Sequence, residues 1–206
     1  MGSYYYLVSQ LPYLIYGQTP PMSADAFRSL ARPLLTDKDA VLLDLVGFDP
    51  QPLKPGDDDH SYAENAPASG CNFIDGWREW ERSLRLNLAK QRSIKTKRET
   101  AAPVEPPVFP ADAAAVAVKA VVAAESPLEG ETLIDKARWN AIETLQGSDH
   151  FDRNTIFAYL LKLILLERRA SFQTDVGFSE YKSLYASILE SAATFGGAQS
   201  SAGVSK

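Results

Sequence analysis

Ile156–Leu166 reads IFAYLLKLILL, and its apolar residues cover more than one helical face. Ile156, Tyr159, Leu163 and Leu166 line one side; Phe157, Leu160, Leu161 and Ile164 line another. A helix wet on one side keeps a single apolar stripe. One that is apolar nearly all round is enclosed by neighbouring helices or by lipid. Lipid does not fit, because the run is far short of the ~20 residues a span needs. Lys162 interrupts it, and Glu167, Arg168 and Arg169 close it. The reading is an all-α fold, a multi-helix bundle around a buried central helix at about 153–172.

The flanking sequence supplies helices to wrap that centre. Asp152 caps it, since a short acidic side chain accepts from first-turn N–H groups that have no intrahelical partner. Upstream, Pro127 opens a helix, Glu129 and Glu131 suit its positive end, and Gly147 ends it. Ile134, Ala137, Ala141 and Leu145 form one edge of that helix, with Trp139 and Ile142 beside it. Ala111–Ala124 is alanine-rich and reads as a helix. Phe73, Trp77, Trp80, Leu84 and Leu88 mark an amphipathic helix running to about Lys97. Ser23 and Thr36 are N-caps of two shorter helices. The first carries Phe27, Leu30, Ala31, Leu34 and Leu35 and is cut by Pro33; Gly47 is placed as the C-cap of the second. Alternation and aromatics at Tyr4–Val8 favour a short N-terminal strand over a first helical turn. Tyr181, Leu184, Tyr185, Ile188 and Leu189 repeat at i, i+3, i+4, i+7 and i+8 behind Ser179, the cleanest stripe in the chain.

Two stretches break the pattern. Asp49–Gly70 is polar, holds four prolines and has no period; Ala101–Pro110, AAPVEPPVFP, is proline-rich and extended. The expected organisation is one helical domain over 1–195, with the long polar loop 49–70, the Pro-rich connection 101–110 and a disordered tail at 196–206.

Composition narrows the functional classes. The 206 residues carry a net charge of −5, which argues against a generally nucleic-acid-binding surface. A single cysteine, Cys71, excludes an intramolecular disulfide and suits a reducing compartment. The N-terminal MGSYYYLVSQLPYLIYG lacks Lys, Arg and a small-residue cleavage site, so it reads as packed rather than as a signal, and a cytoplasmic location is expected.

Catalytic hardware is thin. Asp57, Asp58, Asp59, His60 and Glu64 cluster on the polar loop, but successive aspartates do not converge on a cation by themselves. They read as a solvated loop, with a metal-dependent enzyme as the remote alternative. His150 lies beside Asp149 and Asp152, where capping accounts for Asp152. Cys71 has no C-x-x-C partner and reads as a buried small residue at a helix start. No phosphate-cradling, nucleophile-elbow or zinc-helix motif occurs. No catalytic residue, cofactor or metal is expected.

The strongest charge feature is Arg78–Arg98. Arg78, Arg82, Arg85, Lys90, Arg92, Lys95, Lys97 and Arg98 stand against Glu79 and Glu81. One reading is a solvated face with i, i+4 pairs such as Glu81–Arg85. The functional reading is a docking face for an acidic protein partner through Arg78, Arg82, Arg85 and Arg92. Nucleic acid fits less well, because the aromatic residues lie on the other, apolar side.

Four segments together resemble a known family. They are YYYLVSQLPYL (Tyr4–Leu14), FIDGWREWERSLRLNLAKQR (Phe73–Arg92), PLEGETLIDKARWNAIETL (Pro127–Leu145) and DHFDRNTIFAYLLKLILLERRASF (Asp149–Phe172). The chain thereby resembles the bacterial family called domain of unknown function 2764, whose members are typically encoded among subunits of V/A-type rotary ATPases. The tyrosine-rich start and the late YLLKLILLERR helix are similar also to the C (d) subunit of those ATPases, an all-helical part between the rotor ring and the central stalk. The resemblance implies a non-catalytic subunit or accessory with a C-subunit-like coupling role. Its alternative is a transient assembly or regulatory factor. The implied partners are stalk or rotor subunits, with membrane association only through that complex.

Overall fold

In the computed structural model, IFAYLLKLILL lies inside helix α7 (Arg153–Ser171). Ile156, Phe157, Ala158, Leu160, Leu161, Leu163, Leu165 and Leu166 are buried, as the all-round apolar pattern requires. Each fully buried Leu, Ile or Phe contributes roughly 1.5–3 kcal/mol, so α7 anchors the core. The structure describes residues 4–48, 68–96, 111–172, 178 and 181–188.

The described residues are helical and turn segments without a strand, an all-α bundle. Contacts divide the chain into two units, Met1–Glu167 and Arg168–Lys206. The first holds α1 (Tyr5–Gln10), α2 (Ala24–Ala31), a 3-10 turn (Arg32–Leu34), α3 (Asp37–Asp44), α4 (Asn72–Thr96), α5 (Ala111–Ala123), α6 (Pro127–Gln146) and most of α7. α4, α5 and α6 pack on one another. Phe73 of α4 meets Phe157 of α7 at 6.2 Å between ring centroids, and Phe27 of α2 meets Tyr159 at 4.9 Å.

Local chemistry sets the ends. Ser23 Oγ accepts from Ala26 N, Thr36 Oγ1 from Asp39 N and Ser126 Oγ from Glu129 N, each satisfying a first-turn donor. Asp152 Oδ1 accepts from Thr155 N at the start of α7. Pro33 sits in the 3-10 turn that ends α2. Gly147 takes φ 77° after α6, a conformation costly for a residue with a Cβ. Inside α4, a Cβ at Gly76 would stand 2.9 Å from Leu145 Cδ2, the movable end of a half-buried side chain of α6, which would have to shift.

Two expectations are corrected. The N-terminal strand is instead helix α1. Tyr4, Leu7, Val8 and Leu11 pack on the core at i, i+3, i+4 and i+7, a helical period that the run of tyrosines hides. Tyr4 N donates to Phe151 O at 2.7 Å, so the helix starts from a tertiary anchor. Gly47 is not the C-cap of α3. That helix ends at Asp44 with Leu45 as C-cap, and Gly47 O instead accepts from Trp77.

The second unit begins in the last turn of α7. Arg168 lies over the Phe172 ring at 5.7 Å, and residues 181–188 are helical. Ser179, Leu189 and the tail at 196–206 lie outside the described residues, as do the loop positions 49–67 and the Pro-rich connection 101–110. Among the described residues no helix is long and apolar enough to cross a membrane.

Candidate functional site

At 3.6 residues per turn, Arg78, Arg82, Arg85 and Arg92 fall within an arc of roughly 80° on α4. They share a face, but their environments differ along it. Arg82 is half-buried and pairs with Glu79 at 3.7 Å, one turn back. Arg78 is half-buried and has no ion pair among the described residues. Arg92 is exposed beyond it, with Lys90 and Lys95, on the last two turns of the helix. Residues 89–96, AKQRSIKT, hold three cations and no acid on a chain whose net charge is −5. The same turns show Ile94 at 62% exposure, an apolar side chain between cations.

Arg85 belongs to a different construction. Its Nε donates to Glu81 Oε1 at 3.3 Å and its Nη2 to the Phe48 carbonyl at 2.8 Å. Glu81 is buried and is the hub. Arg138 of α6 grips it from the other side, Nε to Oε2 at 3.2 Å and Nη2 to Oε1 at 2.7 Å, a bidentate fork. Arg138 Nη1 also donates to Asp135 Oδ1 at 3.2 Å. Two buried acids thus meet two guanidinium groups. Burial by itself lowers the Arg138 pKa, but hydrogen bonding and attraction from Glu81, then from Asp135, outweigh it, and the net shift is upward. Arg138 also covers the Phe48 ring at 5.5 Å, while Trp77 meets that ring edge-on at 5.3 Å and donates from Nε1 to Gly47 O at 3.0 Å. Three side chains from α4 and α6 therefore clamp Gly47–Phe48, where the chain leaves α3.

A second polar knot ties the N-terminus down. The Tyr4 hydroxyl donates a short hydrogen bond to Asp39 Oδ2, and Arg153 Nη1 lies 3.5 Å from Asp39 Oδ1. Burial, followed by the bond to Asp39, raises the Tyr4 phenol pKa above its usual range. Tyr159 donates to Pro12 O at 2.9 Å, and burial pushes its phenol up to about 12.

Elsewhere the polar groups are used for structure. A cleft of about 500 Å³ is lined by Asp25, Arg28, Asp44, Phe48 and Glu167 among others. There Arg28 is held by Asp25 and Val46 O, and Glu167 Oε1 accepts from Ala24 N at 2.9 Å. His150 Nδ1 lies 3.5 Å from Gln146 Nε2 on the surface. Cys71 is buried. Among the described residues no group of three or more His, Cys, Asp or Glu could hold a metal ion; Asp57, Asp58, Asp59, His60 and Glu64 lie outside them.

Sequence reasoning paired Glu81 with Arg85 at i, i+4, and that pair forms, but it placed the pair on a solvated face and did not single out Asp135, Arg138 or Gly76. The signals were present as misfits. Glu81 falls between Trp80 and Leu84, and Arg138 beside Trp139, where a solvated stripe does not belong; a glycine inside a helix costs about 1 kcal/mol against alanine and marks a close approach. Comparison with family models, with curated proteins and with solved structures finds no match to this chain.

Proposed function

We propose that this chain is a non-catalytic subunit or accessory of a bacterial V/A-type rotary ATPase, working as a C-subunit-like coupling element between rotor ring and central stalk. A coupling part transmits force through packed contacts, so it needs a rigid body and a complementary face rather than a reactive group. The observation that carries the reading is the split among the α4 cations. Arg85 is spent on the clamp with Glu81 and the Phe48 carbonyl, whereas Lys90, Arg92 and Lys95 project from the helix end with no acid among the described residues in ion-pair range. That end suits an acidic protein surface. Attraction of this kind acts mainly on encounter rate and orientation, and it weakens with salt.

The test is affinity recovery from native membranes, read by mass spectrometry. Stalk or rotor subunits should co-purify at low salt, and the Arg82→Glu, Arg92→Glu double variant should recover at least ~10-fold less, a cost of ~1.4 kcal/mol. Absence of ATPase subunits from the wild-type recovery sinks the assignment. Undiminished recovery by the double variant sinks the face. One copy per purified active complex marks a stable subunit; loss from the active complex marks the assembly or regulatory factor instead.

A further inference from the structure

We propose that Arg85 is a relay: an acidic partner docking on α4 draws its guanidinium outward and thereby loosens the clamp on Gly47–Phe48. Arg85 belongs to two constructions at once. It lies on the docking arc of α4, three positions after Arg82 and seven before Arg92, and its side chain is 39% exposed. Its donors nevertheless turn inward, Nε to Glu81 Oε1 and Nη2 to the Phe48 carbonyl. Arg82, one turn away on the same arc, pairs with Glu79 of its own helix. The occupancy of the docking face and the hold on the end of α3 therefore meet in one side chain.

The way Glu81 is held makes Arg85 the movable member. Buried Arg138 grips both Glu81 oxygens, at 3.2 and 2.7 Å, whereas Arg85 reaches one of them at 3.3 Å. When Arg85 turns away, Glu81 keeps its fork with Arg138 and stays paired. A carboxylate of the partner takes the place of Glu81 on Arg85, so one charge-assisted bond is exchanged for another of the same kind. A ligand shifts an equilibrium only through contacts that it makes in one state and not in the other. The partner's carboxylate meets that condition, because it reaches Arg85 only when the guanidinium faces outward. The change is felt at the end of α3. The Phe48 carbonyl loses a donor 2.8 Å away, while its ring keeps Arg138 above it and the edge of Trp77 beside it. Trp77 Nε1 donates to the neighbouring Gly47 carbonyl at 3.0 Å, so that indole proton reports on the clamp directly.

The relay rests on the reading of α4 as a docking face for acids and not on which protein docks, so poly-L-glutamate at low salt serves as the partner for the whole chain. The Trp77 indole N–H signal, identified by its absence in Trp77→Phe, should move in nuclear magnetic resonance spectra as polyglutamate is added. Arg82→Met should bind about 3-fold more weakly yet reach the same end-point, because Arg82 supplies attraction without touching the clamp. Arg85→Met should show the Trp77 signal at that end-point before any polyglutamate is present, and no further movement afterwards. Binding that leaves the Trp77 signal in place, or a signal that still moves in Arg85→Met, overturns the relay and leaves the docking face standing. Polyglutamate that does not bind at low salt overturns both.

Discussion

Leu161 in α7 and Leu184 in the 181–188 helix are both leucines on an apolar helical stripe, yet Leu161 is fully buried and Leu184 is 63% exposed. The contrast runs against a simple use of amphipathicity. Tyr181, Leu184, Tyr185 and Ile188 form a single stripe of exposed side chains, while the helix apolar on several faces is enclosed. A single stripe states only that one side wants cover. An all-round pattern states that several neighbours must supply it, and α2, α4 and α6 do so within the same chain.

The largest effect expected from probing that contrast is on charge. Arg138→Met takes the bidentate guanidinium from buried Glu81 and a charged donor from buried Asp135 and should destabilise the protein by about 3–5 kcal/mol. Lys182→Met on the exposed helix should stay within about 0.5 kcal/mol in dilute solution. Urea unfolding followed by circular dichroism measures both, and comparable effects would erase the distinction. Next comes packing. Leu161→Ala should cost about 2–5 kcal/mol through lost burial and the cavity left behind, against less than about 0.5 kcal/mol for Leu184→Ala. The smallest effect is pH dependence. The folded-state phenol of Tyr159 is raised from 10.0 to about 12, so its stabilisation is complete below pH 10 and is lost as pH climbs toward 12. The urea midpoint should fall through that window, less steeply in Tyr159→Phe; identical slopes would place the alkaline loss elsewhere.

Much of the architecture was legible in the residues. The central helix, its Asp152 cap, the α5 and α6 limits and the Gly147 stop follow from periodicity and from short-range hydrogen-bonding preferences. What misled was local ambiguity settled at long range. Tyr4–Val8 is rich in aromatics, as strands are, but the Phe151 carbonyl and a core contact every third or fourth residue make it a helix. The basic face of α4 was legible as a run of cations, but which of them look inward was not. Arg85 and Arg92 differ in role because Glu81 and the Phe48 carbonyl lie beside one turn and not beside the other.

The sequence by itself determined that helices form, where they start and stop, and that one of them must be wrapped, because these depend on backbone donors, side-chain shape and apolar period within a few residues. Only the tertiary structure decided the partners. It brought Glu81 and Arg138, 57 positions apart, into one buried fork and set the end of the Leu145 side chain against Gly76. Those pairings depend on where whole helices cross, a geometry fixed by the joint packing of many side chains and written in no single segment.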